Sequence, residues 1–228
     1  MRLLDHLYSG LLSENDSIAD VGAGTGIFSL ALAQRKSKVI SVEPNDDMRA
    51  QAARLLEPYE NSVIVKGSAE GTGLPAASVN AVTAAQAFHW FDAAAFKAEC
   101  RRILKPGGRV ILIWNSKDAE DPMMAEHAEI NKRLCPDFKG YPGVMAQRPD
   151  TFESFFKDGI YELLEFRDDI LMSEDQFMGR SLSSSYAPKE NDEAYEEYIE
   201  ETRKLYENYQ RNGRIRFPNI VKLYSGEV

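Results

Sequence analysis

The sequence predicts a doubly wound α/β fold, in which a mostly parallel sheet carries helices on both faces. Three observations predict it. Short apolar runs alternate with amphipathic stretches at regular intervals up to about residue 115, as successive βαβ units do. The first core run stops at a glycine-rich turn, Gly22-Ala23-Gly24-Thr25-Gly26. The next run ends on a carboxylate, Glu43, seventeen residues after Gly26.

Residues 2–12 place Leu3, Leu4, Leu7, Tyr8, Leu11 and Leu12 at helical spacing. Residues 17–21, SIADV, read as a buried strand, and 27–35 as the helix after the turn. The second strand is 38–43. Asn45 is placed to cap the next helix, with Asp46 and Asp47 in a first turn that favours negative charge. Residues 62–65 and 79–84 supply the third and fourth strands. Asp92 caps a helix with Phe96, Cys100, Ile103 and Leu104 on one face; Pro106, Gly107 and Gly108 end it, and 109–114 form a fifth strand.

Beyond Trp114 the rhythm changes. Residues 120–134 read as helix, 136–150 as a loop rich in proline and glycine, and 151–157 as helix. A strand or two fall within 160–172, helices over 174–184 and 191–211, and a closing strand over 214–226. No internal repeat interrupts this order, so the chain reads as one domain, residues 1–228. A core covers about 1–115, and acceptor-side and lid elements lie within about 116–212.

Composition narrows the function classes. A formal net charge of -9 disfavours nucleic acid and anionic membrane surfaces as partners. No apolar run approaches the roughly 20 residues that span a bilayer. The amino terminus lacks a signal-peptide pattern. Cys100 and Cys135 form no CxxC or Cys/His set, so a reduced, cytoplasmic setting and no metal site are expected.

The glycine turn and the acid together indicate a cofactor containing a nucleoside. Glycines turn the backbone sharply and let a ligand approach where a Cβ would obstruct it. A carboxylate ending the next strand is placed to accept both hydroxyls of a ribose. The dinucleotide fingerprint is G-x-G-x-x-G. Here the third glycine comes one residue early, and Asp20 stands two residues before the first. That acid suits the amino group of an amino-acid moiety better than a pyrophosphate.

DVGAGTG, the acid in SVEPN, GSAE, the strand-end AQAFHW and the LKPGG turn resemble the class I methyltransferases that use S-adenosylmethionine. The likeness is nearest to the small-molecule branch that includes trans-aconitate methyltransferase-like enzymes. It is strong over 17–115 and loose beyond. It implies a seven-stranded sheet with an antiparallel last strand and helical insertions forming a lid. It implies S-adenosylmethionine as cofactor, S-adenosylhomocysteine as product, and no metal. Gly22, Gly24 and Gly26 would pass under the methionine and ribose, Ala23 and Asp20 would also bind the cofactor, and Glu43 would hold the ribose hydroxyls. Ser68, Ala69 and Glu70 would border the adenine, with Pro44 and Met48 on its other face. Gln86 and Ala87 would lie beside the transferred methyl. Relatives carry a further amino-terminal stretch covering the cofactor. Here Asp20 arrives after nineteen residues, so three expectations stand open: a partial lid, cover by a second copy in a homodimer, or a lid stretch missing from this sequence.

The acceptor side is read from the end of the fourth strand, where open α/β sheets bind ligands. His89 is the candidate catalytic base, and it and Trp90 the candidate acceptor contacts. Arg180 and Tyr186, in the stretch around SLSSSYAP, are the second acceptor candidates; a surface loop is the competing reading. The acceptor expected is a small molecule bearing a carboxylate or hydroxyl. The motif Asn/Asp-Pro-Pro-aromatic is absent from the fourth strand's end, which disfavours methylation of base amino groups. Two alternatives stand beside this reading. One is a non-catalytic cofactor-binding protein on the same fold. The other is an NAD-type oxidoreductase, against which the glycine spacing and the lack of a Tyr-x-x-x-Lys pair both count.

Overall fold

The computed structural model describes residues 2–141 and 149–228. Nine strands and eight α-helices are formed among them. The order is α1 (Arg2–Gly10), β1 (Ser17–Val21), α2 (Ile27–Ala33), β2 (Lys38–Val42), α3 (Asp46–Leu56), β3 (Ser62–Val65), β4 (Val79–Ala85), α4 (Ala93–Ile103) and β5 (Leu104–Lys117). Then follow α5 (Pro122–Leu134), α6 (Pro149–Phe155), β6 (Glu162–Arg167), β7 (Ile170–Met172), α7 (Glu174–Leu182), α8 (Tyr195–Tyr209), β8 (Ile215–Phe217) and β9 (Asn219–Gly226).

Seven strands make one sheet in the order β3-β2-β1-β4-β5-β9-β6, parallel except for the antiparallel β9. β1 pairs with β2 on one side and β4 on the other, so the strand order reverses beside β1. That reversal is the topological switch where doubly wound sheets open a crevice. β1 is apolar because it is central: Ile18, Ala19 and Val21 are fully buried.

The caps fall where the sequence puts them. Asn45 Oδ1 accepts from the N–H groups of Asp47 and Met48 at 3.0 Å, and Asp92 Oδ1 from those of Ala94 and Ala95 at 3.0 Å. Each such cap stabilises its helix by about 1 kcal/mol. Three boundaries differ from expectation. β5 begins at Leu104 rather than 109, because Val79 pairs with Leu104 and Ala81 with Arg109, so Pro106, Gly107 and Gly108 sit in a bulge inside the strand. The closing strand breaks at Pro218, which has no N–H to donate; β8 pairs with β7 as a two-stranded ribbon. The helix expected from 191 starts at Tyr195. Of the loop expected over 136–150, residues 142–148 lie outside the described residues.

The described residues fall into two compact units. One holds residues 2–114, 149–165 and 222–228; the other holds 115–141 and 166–221. The first has an aromatic core in which Phe88 packs 4.9 Å from Phe155 and 6.1 Å from Trp114, and Phe152 stacks 4.1 Å from Tyr224. The second packs α5, α7 and α8 with the ribbon through Met123, Met124, Phe177, Leu205, Ile215 and Phe217. Cys100 and Cys135 are both buried and free. Among the described residues no helix is long and apolar enough to cross a membrane.

Candidate functional site

The carboxyl ends of β1, β2 and β4 meet around the glycine turn. Gly22, Gly24 and Gly26 all have positive φ, at 70°, 56° and 84°. A Cβ at Gly22 would lie 2.6 Å from the Cβ of Ala87 and 3.0 Å from the ring of Phe91. This glycine therefore lets the turn seat against the end of β4. A Cβ at Gly24 would meet nothing within 4 Å, so its face is open to a ligand. Gly22 and Ala23 donate their N–H groups to the Val42 carbonyl at 2.9 and 3.1 Å, which ties the turn to β2.

Glu43 completes this tie. Its Oε2 accepts from the Gly24 N–H at 2.8 Å and its Oε1 from the Asn45 N–H at 2.9 Å. The residue is only 5 % exposed. A carboxylate offers about four acceptor positions, so the two backbone bonds leave capacity for hydroxyls of a ligand.

Asp20 lies in β1 beneath the turn. It is 1 % exposed. Its oxygens are taken by the hydroxyls of Ser29 at 2.5 Å and Thr83 at 2.9 Å, with Ser41 donating to Ser29 at 2.7 Å. Burial pushes its carboxyl up to about 6, and the Ser29 and Thr83 hydroxyls oppose that shift. The acid braces the underside of the turn by joining β1, α2 and β4, with both oxygens engaged inside the protein.

Around the turn, Pro44 and Met48 are exposed where α3 begins, and Ser68 is half-buried. Ser68 and Gly71 exchange backbone hydrogen bonds at 3.2 and 3.3 Å, closing a tight turn over the buried Ala69. Glu70 accepts from the Asp92 N–H at 3.1 Å, which fixes this turn to the start of α4. Glu99 holds the following residue pair by accepting from the Thr72 N–H at 2.9 Å, and its bond with Arg102 holds its carboxyl down at about 2.

At the end of β4, Gln86 adopts a left-handed backbone with φ 56°, a conformation costing a non-glycine residue about 1–3 kcal/mol. Its N–H still bonds the Ile113 carbonyl at 2.9 Å. The chain turns sharply there, Ala87 is buried against Gly22, and Phe88 is buried among the aromatics. Burying Phe88 is worth about 1.5–3 kcal/mol. His89 and Trp90 are left outside, rings 5.0 Å apart, with Trp90 81 % exposed. The strain at Gln86 was not readable from residue type, because glutamine carries no left-handed signal.

Arg180 and Tyr186 belong to the second unit, and their neighbours there were not singled out from sequence. Tyr186 OH lies 3.3 Å from Nζ of Lys117, the last residue of β5. Lys117 also sits 4.1 Å from the centre of the Tyr141 ring. Burial and the charge of Arg180 push its amine down to about 8. The available signal for Lys117 was its position, three residues beyond Trp114 at the carboxyl end of a core strand.

Residues 19–112 match the family model described as a methyltransferase domain. An uncharacterized methyltransferase of Mycobacterium bovis is 39% identical over 113 residues, covering 50% of this chain and 45% of that protein. The match thus spans less than half the length of that relative. Among solved structures, a putative type II methyltransferase from Anaeromyxobacter dehalogenans aligns with a TM-score of 0.74 at 22% identity, over 99% of this chain and 95% of that one. A geranyl diphosphate methyltransferase solved in complex with S-adenosylmethionine aligns with a TM-score of 0.52 at 19% identity, over 100% and 83%. These two likenesses are likenesses of fold.

Proposed function

We propose that the chain, whose residues 19–112 match the family model described as a methyltransferase domain, transfers a methyl group from S-adenosylmethionine to a small molecule bearing a carboxylate or a hydroxyl. The observation that carries this reading is the open face of Gly24 beside the carboxylate of Glu43. A Cβ there would project into the space that a ribose and its amino-acid tail need. When bound, the cofactor would supply an electrophilic methyl on its sulfonium, with S-adenosylhomocysteine as the leaving group.

The chain's own residues bind, orient and shield. Glu43 accepts from ribose hydroxyls. Pro44 and Met48 present exposed apolar surface to one face of the adenine, and Ser68 to Glu70 border its edge. Gln86 and Ala87 set the backbone beside the reacting centre. Aligning two reactants in this way lowers a barrier by several kcal/mol without any group acting on the methyl. His89 accepts the proton of an acceptor hydroxyl, whereas an acceptor carboxylate has none to lose at neutral pH. Trp90 walls the acceptor side.

Calorimetric titration with S-adenosylmethionine, S-adenosylhomocysteine and NAD side by side tests the reading. Binding of the first two and not of NAD is expected. Glu43→Ala removes the ribose acceptor and leaves the Gly24 and Asn45 N–H groups without their partner, and should weaken cofactor binding about ten-fold or more. Binding of NAD alone, or full affinity in Glu43→Ala, would sink it.

A further inference from the structure

Among the cations of the second unit without a carboxylate partner, Lys117 and Arg180 stand together against one aromatic ring. Its other arginines and lysines with ion pairs are well supplied: Arg167 with Asp118, Arg216 with Asp121 and Asp169, Arg133 with Glu201, Arg203 with Glu174. Among the described residues no carboxylate lies within ion-pair distance of Lys117 or Arg180, although the chain has an acid surplus. The two share one aromatic wall. The Arg180 guanidinium carbon lies 4.5 Å from the centre of the Phe217 ring, and Lys117 Nζ lies 6.0 Å from it. Two like charges facing one ring, without an anion, is an arrangement a fold does not favour for its own sake.

A second, independent feature lies beside them. His127 is 2 % exposed, and neither ring nitrogen has a hydrogen-bond partner among the described residues. Its ring centre is 6.0 Å from that of Tyr141, whose ring carries Lys117 on its face. The Tyr141 hydroxyl is already used, accepting from Asn131 Nδ2 at 3.0 Å. Burial and the charge of Lys117 hold the imidazole down at about 3, so it is neutral at physiological pH and keeps one N–H to give. A buried donor left without an acceptor costs about 1–3 kcal/mol.

We propose that Lys117, Arg180 and Tyr186 form a recognition site for an oxyanion, the carboxylate or phosphate group of a small molecule. The donor count supports it. An ammonium has three N–H groups and a guanidinium five in a planar fork that matches either oxyanion. Lys117 donates to Tyr186 OH at 3.3 Å, which sets the phenol beside the ammonium. That this anion belongs to the methyl acceptor rests on the function proposed above; the site itself does not.

The groups facing Lys117 are Arg180, His127, Tyr141 and Tyr186. His127 stays neutral, and burial pushes both tyrosines above their ordinary value. Lys117 is therefore the member of this set that titrates between pH 7 and 9, and anion affinity should fall across that range.

The test is calorimetry of the whole chain with citrate and with inorganic phosphate, at pH 7 and pH 9, with S-adenosylhomocysteine titrated in parallel. Wild type, Lys117→Met, Lys117→Arg and Arg180→Gln are compared. One anion should bind wild type at pH 7; citrate alone indicates a carboxylate, phosphate alone a phosphate. Lys117→Met and Arg180→Gln should each lose about ten-fold or more in affinity. Lys117→Arg should restore binding and abolish the loss at pH 9, because arginine does not titrate there. Equal affinity in all four proteins, or no binding of either anion while S-adenosylhomocysteine still binds, overturns the proposal. Anion binding without S-adenosylhomocysteine binding keeps the anion site and removes the methyl-transfer reading.

Discussion

The glycine-turn region and the helical unit treat buried polar groups in opposite ways. Around the turn each is answered from within: Asp20 by Ser29 and Thr83, Glu43 by two backbone N–H groups, Glu99 by Thr72 and Arg102. In the second unit both His127 nitrogens and the Thr202 hydroxyl are unanswered among the described residues. An unmade buried hydrogen bond costs about 1–3 kcal/mol, more than the roughly 0.5–1.5 kcal/mol a made one contributes. The first region is thus a finished scaffold whose exposed face alone is left for a ligand. The second leaves buried polar atoms without a partner among the described residues.

The comparison breaks most sharply at Gly22. Gly22→Ala forces a Cβ to within 2.6 Å of Ala87 at a φ of 70°. The left-handed backbone costs an alanine about 1–2 kcal/mol, and overpacking adds about 1–3. We expect about 2–5 kcal/mol of lost stability by denaturant unfolding. Gly24→Ala has the same backbone sign but open space for its Cβ. It should cost only the backbone part in stability, yet lose cofactor affinity. If Gly24→Ala binds S-adenosylhomocysteine normally, the ligand does not approach the turn from that face.

The contrast between the regions also explains what was legible in the sequence. β1 to β4 with their caps were readable because local signals agree there: buried runs end at glycines, and Asn45 and Asp92 stand one residue before their helices. The places of Gly24 and Glu43 were readable for the same reason, since both lie at strand ends set by that alternation. The burial of Asp20 was not. Its partners are Ser29 and Thr83, the latter 63 residues away, and only the folded sheet brings them together. Lys117, His127 and Tyr141 likewise meet through tertiary packing, so their spacing in the chain carried no pattern.

His127 offers the next test. Its folded-state pKa, about 3, lies below the unfolded value of 6.5. Between these limits the unfolded chain binds a proton that the native one does not. Stability from this residue is therefore full above about pH 6.5 and lost as pH falls toward 3. At pH 5 the loss is about 2 kcal/mol. His127→Leu fills the site without titrating, so the loss of unfolding free energy between pH 7 and pH 5 should shrink by about 2 kcal/mol. Asp20, whose carboxyl is raised to about 6, acts in the opposite sense as pH falls from 6 to 3.8, and does so equally in both proteins. An unchanged pH dependence would mean that His127 is protonated in the native state and that its nitrogens are not idle.

The smallest effect on stability should come from Trp90, and its smallness is informative. At 81 % exposure the side chain contributes little to the core, so Trp90→Ala should shift unfolding by no more than about 0.5 kcal/mol. Cofactor affinity should also persist, because Gly24 and Glu43 are untouched. If Trp90 walls the acceptor side, KM for an acceptor rises while kcat changes little, as when binding common to ground and transition states is lost. The neighbouring His89→Ala separates the two acceptor classes. A hydroxyl acceptor should lose kcat, because its proton has lost a base, whereas a carboxylate acceptor should keep it. Loss of kcat with a carboxylate acceptor would instead make His89 a positioning group for the anion itself.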